Sequence, residues 1–219
     1  MGRRTYAMAV PLMLVLAACQ TLAQTPLAHW DFETGDLQGW RVVSGNLGKQ
    51  PSSNDNDRWQ GNFDKQGKWF LGTYEGASDQ ATGELRSPVF TIQGDALGLL
   101  VGGGSDVSKV FVALVLVEGD REVRRATGEN REVMRPVRWD VTAFRGKQAY
   151  LRVVDNATGG WGHINVDDFR ELSAEEAARL DREEQQRKEA LRLATEQRYQ
   201  QWRKGVLGPS EPTVYRGAN

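Results

Sequence analysis

The sequence predicts an all-β fold, a two-sheet sandwich of jelly-roll type, followed by one long charged α-helix. Three observations carry this. Between His29 and about Leu172, short apolar runs alternate with turn clusters about every 8–12 residues, with no helical period and no internal repeat. The 219 residues include 24 glycines and 7 tryptophans, a mixture that suits short strands and tight turns better than helix packing. At Ser173 the texture changes: "SAEE" is a capping box, and the residues to about Lys204 are almost all helix formers.

The elements follow in chain order. "MGRRTYAMAVPLMLVLAACQ" sets two arginines before an apolar run from Ala7 to Ala18, short for a bilayer span and suited to an export signal over residues 1–23. Within it "LAAC", Leu16 to Cys19, resembles a bacterial lipobox, which would make Cys19 an acylated anchor and the protein a lipoprotein of the cell envelope. Gln20 after the cysteine is compatible with sorting to an outer membrane. Cleavage after Ala23 is the alternative and leaves a soluble secreted or periplasmic protein. One cysteine cannot form a disulfide within the chain.

A single sandwich domain is expected over residues 28–172. "AHWDFE" and "WRVVSG" flank the turn "TGDLQG", and Lys49 to Gln66 is a polar surface loop. "KWFLGTY", "ELRSPVFTI" and "DALGLLVGG" are the next strands, and "KVFVALVLVEG" is apolar enough to be buried on both faces. "EVRRA", "RPVRWDV", "KQAYLRVVD" and "HINVDDFREL" complete the set. The helix, 173–204, has glutamates early and arginines and lysines late, with Glu183–Arg187 and Glu184–Lys188 as i,i+4 pairs. Its broken apolar stripe, Ala177, Leu180, Leu191, Ala194 and Trp202, leaves open a protein partner; residues 205–219 read as a frayed, disordered tail.

A formal net charge of -1 gives no electrostatic footprint for nucleic acid. No nucleophile elbow, P-loop, paired-histidine zinc motif or Cys-x-x-Cys is present, so the expectation is a non-catalytic protein; only paired carboxylates of glycosidase type lack a motif to search for.

Taken together, "WDFETGDLQGW", "GKWFLGTYEG", "TGELRSPVFTI", "LLVGGGSD", "VRWDVTAFRGKQAYLRVVD" and "GGWGHINVDDF" resemble the fructan-binding carbohydrate-binding module that accompanies bacterial levanases. The resemblance covers most of residues 29–171 and implies a galactose-binding-like jelly roll that binds a terminal sugar of a fructan or other glycan. The fructanase catalytic domain is absent. Sugars are held by aromatic faces and by planar polar groups, and Glu75, Arg86, Asp106, Trp161 and His163 supply those types in glycine-flanked loops or at strand ends. Each has a plainer reading: Trp161 as a core plug, His163 as a structural histidine, Arg86 as half of a surface ion pair. Gly102, Gly103 and Gly104 read as a sharp turn. In galactose-binding-like domains an acidic residue on the first strand and one on the last commonly share a structural calcium; Glu33 and Asp168 are the matching residues, with Asp167 as strand-end support. The competing reading is an envelope scaffold that holds a protein partner through the sandwich or the helix.

Overall fold

The computed structural model describes residues 28–47, 50–53, 63–75 and 78–205. The leader with Cys19, much of the Lys49 to Gln66 loop and residues 206–219 lie outside the described residues.

The fold is a jelly-roll β-sandwich of two antiparallel sheets with one C-terminal helix. The first sheet runs β1 (His29–Trp30), β11 (Ile164–Glu171), β6 (Ala96–Gly103) and β9 (Arg131–Asp140), and β3 (Leu71–Gly72) also pairs with β11. The second runs β2 (Arg41–Gly45), β4 (Gly83–Arg86), β10 (Gln148–Asp155), β7 (Val110–Leu116) and β8 (Arg121–Ala126), and β5 (Phe90–Thr91) also pairs with β10.

All seven residues of β7 are buried, as its sequence suggests, but the two faces are covered differently. Val110, Val112, Leu114 and Leu116 enter the core between the sheets, where Trp30 packs on Trp40, Phe90 and Phe169 at centroid distances of 5.8, 5.6 and 5.4 Å. Phe111, Ala113 and Val115 form an outer cluster with Tyr150. Arginines roof that cluster: the Arg125 guanidinium lies 3.6 Å from the Phe111 centroid and that of Arg86 5.2 Å from Tyr150. Long arginine stems shield the rings while the heads stay wet.

Three expected strands are shorter than their sequences suggest, and "KWFLGTY" keeps only β3. "AHWDFE" yields only β1, because Phe32 takes φ 58° and its carbonyl accepts from Gly35 N–H at 2.8 Å, which turns the chain. "ELRSPVFTI" splits into β4 and β5 at Pro88, which has no N–H for the ladder. Ser87 bridges the gap, its Oγ accepting from Leu151 N–H at 2.9 Å and donating to the Pro88 carbonyl at 2.8 Å.

The helix α1 (Ala174–Arg203) begins at the expected capping box: Ser173 Oγ accepts from Glu176 N–H at 3.2 Å and Glu176 Oε2 from Ser173 N–H at 3.0 Å. Its first turns dock through Ala177 and Leu180 onto Leu172 and Ala96. Asp181 then lies 3.6 Å from Arg138 and Arg187 lies 3.2 Å from Glu129, so α1 crosses the outside of the first sheet along β9. Past that point Leu191, Leu193, Tyr199 and Trp202 are exposed. Glu184–Lys188 forms at 3.5 Å, but Glu183 takes Arg179 at 2.8 Å and leaves Arg187 to Glu184 and Glu129. Among the described residues no helix is long and apolar enough to cross a membrane.

Candidate functional site

The loop between β10 and β11, "NATGGWGH", is tied to its surroundings by backbone bonds. Gly159 N–H donates to the Asp79 carbonyl at 3.0 Å and Gly162 N–H to the Gly159 carbonyl at 2.8 Å. Gly104, just beyond β6, donates to the His163 carbonyl at 2.8 Å, and any side chain at Gly104 would collide with the Trp161 carbonyl. Gly102 and Gly103 close β6 and Gly104 leaves it, so the glycine run serves a strand end and a tight approach.

This bracing holds Trp161 at φ 64° with 39% of its surface exposed. A bulky residue in left-handed backbone is costly, and such strain persists where surroundings over-determine it. Trp161 is therefore no core plug. Its ring lies 5.6 Å from that of His163, tilted by 33°, and Tyr74 meets His163 edge-on at 5.2 Å.

His163 is buried and sits between two carboxylates, with Nδ1 2.7 Å from Asp79 Oδ1 and Nε2 3.2 Å from Glu132 Oε1, the latter within ion-pair reach but off-line for a hydrogen bond. Burial opposes a charged ring, yet the contacts with Glu132 and Asp79 outweigh it and hold the His163 pKa above the ordinary histidine value. Glu132 is pulled the other way: burial raises it, and His163 with Asn165 brings it below the usual range. Asn165 Nδ2 donates to Glu132 Oε2 at 2.9 Å, while its Oδ1 lies beside Gly72 with Glu75 Oε2. Both of those oxygens are buried without a hydrogen-bond partner. Burial keeps the Glu75 carboxyl above its ordinary pKa, and it pushes Asp155, on the Asp79 side of the histidine, up to about 6.

Of the five residues expected to contact a ligand, three meet here: Glu75, Trp161 and His163. Asp106 lies in the turn that starts beside Gly104, but its carboxylate is used within that turn. It accepts from Ser108 N–H at 3.0 Å and pairs with Lys109 at 3.7 Å. Arg86 is elsewhere: Leu85 enters the core, so Arg86 points to the outer face of the second sheet, where it pairs with Glu84 over Tyr150. Asp79, Glu132, Asn165 and Asp155 are members that the sequence reading missed. They come from four separate segments, and no local pattern marks them. The Trp161 end is a surface platform, and two grooves lie along α1, lined by residues such as Leu100, Pro136, Arg138 and Leu180.

Glu33 and Asp168, the residues matched to a structural calcium, both lie near the buried Asp167. Glu33 accepts the N–H groups of Lys68 and Trp69, each at 2.8 Å, while Asp168 pairs with His29 at 3.2 Å and Arg170 at 3.1 Å. Asp167 is wholly buried and accepts from Gln66 and Asp168 N–H groups at 2.8 and 2.7 Å. Burial chiefly, with Asp168 and Glu33 nearby, pushes its pKa up to about 8. Among the described residues no group of three or more His, Cys, Asp or Glu side chains converges as a metal site.

No protein-family model matches the chain. A stretch of 102 residues, 47% of this chain, is 36% identical to a protein of Aspergillus rugulosus named as a glycosyl hydrolase, ecdE, of which the match spans 14%. Among solved structures, the K3 cleaved adhesin domain of Lys-gingipain from Porphyromonas gingivalis superposes with a TM-score of 0.42 at 15% identity, over 67% of this chain and 98% of that one. The module TmCBM61, solved with β-1,4-galactotriose, gives 0.40 at 20% identity over 64% and 92%. The module CBM27-1 of Caldicellulosiruptor saccharolyticus, solved with mannohexaose, gives 0.40 at 15% identity over 67% and 96%.

Proposed function

We propose that the protein is a non-catalytic carbohydrate-binding protein and that a terminal sugar docks on Trp161. The observation that carries this is the strained, 39% exposed indole held over His163, whose ring nitrogens face the Asp79 and Glu132 carboxylates. An indole face takes the C–H face of a pyranose or furanose, and carboxylates accept its hydroxyl protons. The resemblance in sequence puts fructans first among the neutral glycans to test. The part-length likeness to ecdE leaves hydrolysis a property of that protein, of which this chain matches 14%. We also infer from "LAAC" that the chain is exported and anchored through an acylated Cys19.

Calorimetry against β-linked fructans and galactans tests the reading. Weak binding is expected, micromolar to millimolar, about 4 to 8 kcal/mol, because sugar contacts replace contacts with water. Trp161→Ala should weaken it about tenfold or more. Unchanged affinity in a variant that still melts cooperatively would place the sugar elsewhere. Release of reducing sugar by the purified chain would overturn the non-catalytic reading.

A further inference from the structure

Asp79 holds both ends of the arc that presents Trp161. Its carbonyl accepts from Gly159 N–H at 3.0 Å and its Oδ1 lies 2.7 Å from His163 Nδ1, so the chain from Gly159 to His163 starts and finishes on one aspartate. Asp79 itself sits in the short turn Ser78–Gln80, between β3 and β4. On the other side of the ring, His163 Nε2 lies 3.2 Å from Oε1 of Glu132, which belongs to β9 of the first sheet. His163 thus joins two distant segments directly beneath the indole, whose ring centroid is 5.6 Å from its own. At 3% exposure the imidazole meets almost no water, so its nitrogens depend on these two partners.

A neutral imidazole has one N–H and one bare lone pair, and an ionised carboxylate can only accept. With a carboxylate on each side, a neutral ring must turn its lone pair to Asp79 or to Glu132, whereas the imidazolium turns an N–H to both. The charged ring also lies within cation–π reach of the indole. The other groups that face it are Glu75, after β3, and Asp155, at the end of β10, both of which favour the charged ring when ionised, and Tyr74, which meets it edge-on. No lysine or arginine is among the strongest influences on His163. Resting on the sugar reading above, we propose that His163 is the positioning residue of the Trp161 platform and that its proton is the switch: the imidazolium ties Asp79 to Glu132 and holds the indole ready, and loss of the proton frees the arc and weakens sugar binding. The contacts with Glu132 and Asp79 hold the His163 pKa above the ordinary histidine value, so the latch is closed below that value and opens as pH rises past it. Glu132, held below the usual carboxylate range, stays ionised throughout.

The test follows the full mature chain from about pH 5.5 to about pH 9, by calorimetry with a levan and a galactan trisaccharide and by nitrogen NMR of its two histidines. Affinity should fall about fivefold or more as pH rises, with its midpoint where His163, not His29, loses a proton. Below that midpoint both ring nitrogens of His163 should carry protons. Glu132→Gln should flatten the profile, because an amide can donate to the neutral ring and accept from Asn165 at once. In Asp155→Asn the profile should still follow His163, which separates the switch from the ionisation of Asp155. Constant affinity, or a midpoint away from that of His163, would overturn the latch and leave the sugar site standing. Failure of both sugars to bind at every pH would remove the sugar site itself. The latch is then decided by hydrogen exchange at the Gly159 amide: protection that drops at the His163 midpoint supports it, and protection that does not would overturn it.

Discussion

His163 and Asp155 show how single residues at this end are set by neighbours distant in sequence. Asp155 ends β10 with one oxygen unpartnered, and its carboxyl holds a proton up to pH about 6 rather than its ordinary 3.8. A raised acid pKa in the fold means that its contribution to stability is fully present below about pH 4 and is lost as pH rises towards 6. Asp155→Asn should therefore gain on the wild type as pH climbs from 3.5 to 7, by on the order of 3 kcal/mol at about 1.4 per pKa unit. Urea melts at both pH values measure it; a constant difference would show that Asp155 ionises freely in the fold. His163 has the same sign, since its raised pKa supplies stability that fades as pH passes above the ordinary histidine value. That Trp161 and His163 lie together was legible because "GGWGH" is a local signal. Asp79 and Glu132 were not, because their meaning arises only when segments 84 and roughly 30 residues from His163 are folded against it. Arg86 was assigned to the site by residue type and strand-end position, although the parity of β4, with Leu85 inward, points it to the outer face of its sheet.

Among the elements, β7 and α1 were fully legible, since an unbroken apolar run and a capping box each have one structural meaning. β1 and β3 were overestimated. Each is two residues long, because a turn or the approach of a neighbouring segment ends a strand that propensity would extend. The helix cap allows a direct check. Ser173 Oγ satisfies one of the free N–H groups of the first turn, and Glu176, drawn to a pKa of about 2 by the Ser173 backbone and by Arg170, closes the box. Ser173→Ala should cost about 1 kcal/mol of helix stability. Circular dichroism should show the helical signal melting before the sheet signal in that variant. Coincident melts at the wild-type temperature would show that docking by Ala177 and Leu180, not the cap, holds α1.

In the whole molecule the helix and the site share one end of the sandwich. α1 starts where Leu172 meets Ala96, crosses the first sheet and reaches Glu129 with Arg187, near the Ser105–Asn130 contact that borders the Gly104 turn. The remaining residues to Arg203 continue past that end for about 24 Å at 1.5 Å per residue, exposing Leu191, Tyr199 and Trp202. The two functional readings thus occupy neighbouring but separate surfaces, because no described contact links α1 to Trp161, His163 or Glu75. A chain ending at Leu172 should lose its helical signal, keep a cooperative melt because the main core contains no helix residue, and bind sugar within about twofold of the full protein. If the protein also serves as an envelope scaffold, the same truncation should abolish capture of its partner while sugar binding persists. Loss of the melt would show that Ala177 and Leu180 complete the core. Loss of sugar affinity with the melt intact would instead make the projecting helix a wall of the binding site, so one truncation read by two measurements separates support of the fold from contact with the ligand.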